Sequence, residues 1–231
     1  MALQDKGNTA YLMKKLLIWG NSEFAEHIFY QFKQNSNYDI AAFVVDAEYN
    51  TKSTLLNLPV ENFENIEEKY PPAEYNMFIA LGYSKMNTLR ELKYKQAKEK
   101  GYELVSFIHP SSIVAENVKI GENCFIFENN VIQPFCKLSN NIFVYASSTI
   151  CHHSIIENNV FIASNVCING YVNIKKNSFI GASATIRNNI TIEEKGLIGS
   201  GCTILENTKP EQVYKSINSQ LLDITSDKVN L

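Results

Sequence analysis

The chain has 231 residues, 45% of them hydrophobic, which is enough apolar material for one or two packed domains and too much for a disordered polymer. Its net charge of −3 comes with no basic run, so nucleic acid has no footing on it. The opening residues MALQDKGNTAYLMKK contain no apolar core of signal-peptide length, and no later stretch approaches a membrane span, so a soluble, cytoplasmic protein is expected.

Lys15 to Trp19 (KLLIW) is a short apolar run stopped by Gly20, the pattern of a buried strand leading into a loop. Phe24, Ile28, Phe29 and Phe32 recur at helical spacing and predict a helix with one apolar face. A second strand is expected over Ile40 to Val45, ending at Asp46, followed by a linker with Pro59. A short helix near Phe63 to Lys69, a third strand over Asn76 to Leu81 ending at Gly82, and an amphipathic helix over Met86 to Lys100 come next. Glu103 to Ile108 leads onward.

Strands alternating with helices imply a parallel sheet, so residues 1–106 read as a small α/β, Rossmann-like domain. Ligands of such sheets sit beyond the carboxyl ends of the strands, which selects Gly20, Asn21, Ser22, Asp46, Gly82 and Tyr83 as substrate-binding candidates. The phosphate-loop pattern is incomplete, because GNSEFA matches GxGxxG only at Gly20, with Ser22 and Ala25 in place of the later glycines. That argues against an NAD-dependent reductase. Asp46 still suits a ribose or sugar hydroxyl, and the plainer alternative, a turn glycine with a solvated loop carboxylate, stays open.

From Ile108 to Ile204 an aliphatic residue falls on every sixth position, through Val114, Ile120, Ile126, Ile132, Leu138, Val144, Ile150 and onward without a gap. A six-residue period is that of a parallel β-helix, each hexad being a short strand and a corner. Two positions before each aliphatic the residue is usually small or β-branched, as at Ser112, Val118, Cys124, Ser148, Val160 and Val166, and strand alternation points both positions inward. Three positions after it comes Asn, at Asn117, Asn123, Asn129, Asn141, Asn159, Asn165, Asn177 and Asn189, a residue that tolerates the left-handed conformation of a tight corner. The five cysteines show no CxxC spacing, and Cys124, Cys136 and Cys202 fall on the inward small position, so they read as core thiols rather than disulfides or metal ligands.

These hexads, with Gly121, Gly181 and Gly199 directly after the aliphatic, resemble the left-handed β-helix of the hexapeptide-repeat acyltransferases. In that family three hexads close one triangular coil, so residues eighteen apart stack. Phe107, Phe125, Phe143, Phe161 and Phe179 are eighteen apart and each precedes an inward aliphatic, which predicts an outward-facing ladder. A long exposed aromatic stripe marks an interface. The family's homotrimer would bury the Phe107/Phe125/Phe143/Phe161/Phe179 face; cover by the N-terminal domain is the less favoured alternative, since that domain joins at one end of the solenoid. Together the two halves resemble the NeuD/PglD group of sugar acyltransferases over nearly the whole chain. The resemblance implies that the N-terminal domain holds a nucleotide-linked sugar and that the β-helix over 107–206 holds acyl-CoA between neighbouring subunits. Residues 207–231 leave the frame and are expected to cap the last coil, whose open strand edges invite aggregation.

Four histidines are present. His27 lies in the first helix and His109 precedes Pro110 at the junction, and both read as structural. The pair in ICHHSII remains. Acyl transfer from a thioester needs a group to take the acceptor's proton, and neutral imidazole suits this near neutral pH. His152 matches the family's general base, two positions past an inward aliphatic. Gly170 is eighteen residues further on, so its backbone should lie beside that imidazole, and in PglD-like members the matching glycine offers its N–H to the thioester oxygen. Family members often carry Asp or Glu directly after the base. Here His153 stands there, on the corner position, expected to stack between Phe135 and Tyr171; it is the third candidate catalytic residue, with a structural role favoured. Many members also have a second histidine where this chain has Phe161. By position in the family, CoA would run along Gly170, Gly181, Ala182, Gly199 and Ser200.

The resulting expectation is an acetyl-CoA-dependent acyltransferase acting on an amino or hydroxyl group of a nucleotide-activated sugar for a surface glycan or polysaccharide, with no metal. Two alternatives are a non-catalytic, nucleotide-binding trimeric scaffold and a γ-carbonic-anhydrase-like metalloenzyme, the latter requiring three converging histidines.

Overall fold

The computed structural model of the chain describes residues 14–219 and 223. The reading of the opening residues before Lys14, and that of most of the tail beyond residue 219, lie outside the described residues. The first part comprises β1 (Lys14–Trp19), α1 (Glu23–Asn35), β2 (Tyr38–Val45), β3 (Thr54–Leu55), β4 (Leu58–Asn62), α2 (Ile66–Lys69), β5 (Tyr75–Ile79) and α3 (Thr88–Glu99). The sheet order is β3-β4-β2-β1-β5, parallel except for β3 against β4. β1 lies between β2 and β5, and its Leu16, Leu17 and Ile18 are fully buried, the continuous apolar run of a strand covered on both faces. The linker around Pro59 is in part a strand: Val60 to Asn62 pair with Phe43 to Val45. Only Val60 of LPVEN is buried, and Pro59 lacks an N–H, so neither periodicity nor composition announced it.

Beyond Phe107 every hexad contributes a two-residue strand, and the strands form three parallel sheets. The first face runs from Phe107–Ile108 to Val213–Tyr214, the second from Ile113–Val114 to Thr203–Ile204, and the third from Lys119–Ile120 to Thr191–Ile192. Phe143 pairs with Phe125 and Phe161, so one turn takes eighteen residues, or three hexads. The inward aliphatics and small residues form one continuous core from Cys124 to Ile204. Corners are left-handed, at Asn123, Asn129, Asn141, Asn159, Asn165, Asn177 and Asn189, and equally at Phe135, His153 and Tyr171. The last first-face strand, Val213–Tyr214, covers the edge of Leu197–Ile198.

The phenylalanine ladder is not an outer surface. Phe107, Phe125, Phe143 and Phe161 are 4%, 0%, 0% and 3% exposed. Phe24 and Phe32 of α1 and Phe78 of β5 pack onto them, and Tyr83 lies 4.9 Å from both Phe161 and Phe179. The expectation that a homotrimer buries the Phe107/Phe125/Phe143/Phe161/Phe179 face is therefore overturned. The α/β unit is tethered at one end of the solenoid but docks along its side, because its own apolar surface on α1 and β5 needs cover as much as the ladder does.

Polar contacts fix the register of that docking along the corner between the third and first faces. The side chains of Asn123, Asn141, Asn159 and Asn177 form a ladder with steps of 2.8, 2.8 and 3.3 Å, and Asn123 Oδ1 accepts from the Ile79 N–H at 2.8 Å. Arg90 of α3 is fully buried over the Phe143 ring. It donates to Asn141 Oδ1 and to the carbonyls of Gly82, Asn141 and Asn159 at 2.9–3.2 Å. Among the described residues it pairs with no carboxylate, and burial pushes the guanidinium pKa down to about 9.

Candidate active site

His152 sits on the corner between the second and third faces, after the strand Thr149–Ile150 and before Ile155–Ile156. In a triangular coil this corner is opposite the first face, so the α/β unit of the same chain lies across the solenoid from it. The backbone is pinned on both sides: His152 N–H donates to Gln133 Oε1 at 3.0 Å, and His152 C=O accepts from the Tyr171 N–H at 3.0 Å. The imidazole turns Nδ1 toward Nδ1 of His153, 3.2 Å away.

Gly170 lies directly beside the ring. A Cβ there would come within 2.7 Å of His152 Cε1 and 2.9 Å of Nε2, so any larger residue would displace the imidazole. The Gly170 carbonyl accepts from Asn189, while the Gly170 N–H finds no acceptor among the described residues. Both residues line an open cleft of about 570 Å³ together with Gln133, Cys151, Asn169, Tyr171, Asn188 and Asn189. An imidazole packed on a backbone N–H that has no acceptor among the described residues can accept a proton and stabilise an oxyanion at one locus. Cys151 shares the cleft, but burial raises its thiol pKa, which disfavours the thiolate.

His153 has the left-handed φ of 59° and is sandwiched between Phe135 and Tyr171, with ring centroids 4.7 and 4.8 Å away. The other two histidines have local partners: His27 packs edge-on against Phe127, and His109 Nδ1 lies 2.8 Å from Ser111 Oγ. Among the described residues no three His, Cys, Asp or Glu side chains converge on a metal position.

The remaining candidates fall elsewhere. Gly181, Ala182, Gly199 and Ser200 occupy the corner between the first and second faces and do not line the His152 cleft. Gly181 is tight for a coil-to-coil reason, since a Cβ would sit 2.6 Å from Ser200 N, and Gly199 donates to the Tyr214 carbonyl at 2.8 Å beneath the last strand. Gly20, Asn21, Ser22 and Asp46 gather around a smaller pocket of about 210 Å³ with Trp19, Val45, Tyr49, Leu81 and Leu89, at the carboxyl ends of β1, β2 and β5. Gly20 needs its φ of 135°, and a Cβ would meet the Ala80 carbonyl at 2.8 Å. Asp46 is half-buried and not free, because its oxygens bind Lys93 Nζ at 2.6 and 2.8 Å. Gly82 and Tyr83 follow β5 but do not line this pocket; Gly82 C=O holds Arg90 and Tyr83 covers the end of the phenylalanine ladder. Lys93, Trp19 and Gln133 were not picked out by sequence: Lys93 reads as one more outer lysine of an amphipathic helix, and Gln133 as one more corner residue.

Residues 104–213 match the family model described as the GMPPB C-terminal domain. No curated protein matches the chain in sequence. Among solved structures, the acetyltransferase domain of PglB from Neisseria gonorrhoeae superposes with a TM-score of 0.75 at 21% identity, over 87% of this chain and 95% of that one. The chain shares the fold of these structures, an α/β unit followed by a parallel β-helix. WeeI from Acinetobacter baumannii gives a TM-score of 0.66 at 21% identity, over 86% and 94% of the two chains. A mutant of perosamine N-acetyltransferase from Caulobacter crescentus, with CoA and GDP-perosamine bound, gives 0.62 at 19% identity, over 86% and 92%. These matches span the α/β unit as well as the solenoid. No helix among the described residues is long and apolar enough to cross a membrane.

Proposed function

We propose that this protein transfers an acetyl group from acetyl-CoA to an amino group, or in second place a hydroxyl group, of a nucleotide-activated sugar. The observation that carries the proposal is the His152 imidazole lying against the backbone of Gly170, whose N–H has no acceptor among the described residues, in an open cleft. The similar PglB domain has been solved with acetyl coenzyme A, and the perosamine enzyme with CoA and GDP-perosamine, which supports the substrate classes and favours nitrogen as the acceptor.

In the proposed step the acceptor nitrogen attacks the thioester carbonyl while its proton passes to His152 Nε2. The carbonyl oxygen, now carrying the charge, takes the Gly170 N–H as donor. The C–S bond then breaks, and the CoA thiolate leaves and recovers the proton from His152. The donor is in place before charge develops, so no reorganisation is needed at the barrier. Residues 1–106 serve as the sugar-binding unit, with the pocket at Gly20, Asn21, Ser22 and Asp46; 107–206 form the catalytic solenoid and 207–231 the cap.

One chain does not bring these parts together, since the α/β unit covers the face opposite the His152 corner. A sugar held on one chain would thus meet the base of a neighbour. This supports a homotrimer with sites between chains, built on the uncovered faces rather than on the phenylalanine ladder, and it supplies a role for Gly181, Ala182, Gly199 and Ser200 as the neighbour's side of a CoA channel. A need for acetyl-CoA and a nucleotide sugar together supports a cytoplasmic location.

The test is release of free thiol from acetyl-CoA with UDP-, dTDP-, GDP- and CMP-linked amino sugars and their hydroxyl counterparts. His152→Ala should fold normally and lose about 10²- to 10⁴-fold in kcat, the span of general-base contributions. Full activity in that variant would exclude the base assignment.

A further inference from the structure

We infer that His153 is a positioning residue that fixes the tautomer of His152, the two rings forming an imidazole pair joined at their Nδ1 atoms, 3.2 Å apart. This rests on the acyl-transfer reading of the same site. Two neutral imidazoles can share that contact only if one Nδ1 carries hydrogen and the other is bare. If His152 Nδ1–H donates to His153, the lone pair of His152 is left on Nε2, the nitrogen turned away from His153, and the ring is a base. In the opposite arrangement Nε2 carries the hydrogen and the ring has no lone pair to offer there.

His153 is fitted to hold its side of the contact. Its ring is clamped between Phe135 and Tyr171, nearly parallel to both at 27° and 16°. Its backbone is set by the corner, with its N–H donating to the Pro134 carbonyl at 3.3 Å. A ring fixed by stacking presents Nδ1 in one direction, whereas His152 meets Tyr171 and His153 edge-on, at 86° and 85°, and gains its orientation from the Nδ1 contact. When His152 takes the acceptor's proton at Nε2, His153 Nδ1 remains an acceptor for the Nδ1–H of the imidazolium. The other titratable groups facing the pair are Cys151 and Tyr171; Gln133 and Asn169 are neutral.

The experiment combines nitrogen-15 NMR of the histidine side chains in the whole, substrate-free protein with steady-state kinetics. His153→Phe keeps the stack and the corner, because Phe135 already occupies the equivalent corner at φ 68°. In the wild type, His152 should show the Nδ1-protonated tautomer; in His153→Phe it should lose that preference. For the same variant kcat should drop about 10- to 100-fold, part of what a general base supplies, with KM for acetyl-CoA changed less than about twofold. A wild-type His152 bare at Nδ1, or an unchanged kcat in His153→Phe, would overturn the inference. Absence of acetyl-CoA-dependent thiol release by the wild type would instead defeat the acyl-transfer reading, and the tautomer measurement would still decide the hydrogen bond.

Discussion

The solenoid carries two aromatic ladders built on one register, and they have opposite fates. Phe107, Phe125, Phe143, Phe161 and Phe179 stand on strand positions of the first face and disappear beneath α1 and β5. Phe135, His153 and Tyr171 stand eighteen residues apart on left-handed corner positions of the opposite edge, where Phe135 and Tyr171 are 61% and 55% exposed. A repeating coil makes columns of like residues without regard to their use. What covers a column decides whether its rings supply stability or hold a reacting group in place.

The covered ladder should give the largest effect. Phe143→Ala removes a fully buried ring that touches Phe24, Phe78, Phe125 and Phe161, and should cost about 3–5 kcal/mol in urea or thermal unfolding. The oligomeric state, followed by light scattering, should not change while the protein stays folded. Dissociation of an intact assembly would restore the ladder as a subunit interface and break the contrast.

Arg90→Met probes the same side of the molecule. Methionine keeps contact with the Phe143 ring but leaves the carbonyls of Gly82, Asn141 and Asn159 without their donor. The expected loss is roughly 2–3 kcal/mol, the cost of stranded buried acceptors. Because one of those carbonyls belongs to the loop after β5, the apparent affinity for the nucleotide sugar should fall as well, with that for acetyl-CoA unaffected. A variant of wild-type stability would mean that water replaces the guanidinium.

The solenoid was legible because its physics repeats. One aliphatic every six residues, with Asn three positions later, names core and corner in the same frame, and the eighteen-residue turn then follows for His152 and Gly170 as it does for Phe125 and Phe143. The cover of the ladder was not legible. Phe24, Phe32 and Phe78 read as core residues of their own unit, and nothing local states that they point at another part of the chain. For the same reason Asp46 resembled a free carboxylate: Lys93 lies 47 positions away on a helix whose other lysines face water. Strand β4 escaped notice because proline and a single buried valine carry no strand signal.

The exposed ladder should give the smallest stability effect and the more telling one. Phe135→Ala removes one side of the clamp on His153 at a position that is mostly in solvent, so only the stacking contribution is lost, about 0.5–1.5 kcal/mol. Phe135 is one full coil before His153 and is not among the residues lining the His152 cleft, so direct contact with substrate does not enter. If the ladder exists to hold an imidazole, kcat should fall several-fold while KM for acetyl-CoA stays near the wild-type value, the reverse of the pattern expected at Phe143, where stability falls and the turnover of folded molecules is kept. Equal kcat in wild type and Phe135→Ala would mean that Tyr171 alone suffices to hold His153. The two ladders would then differ in exposure but not in purpose.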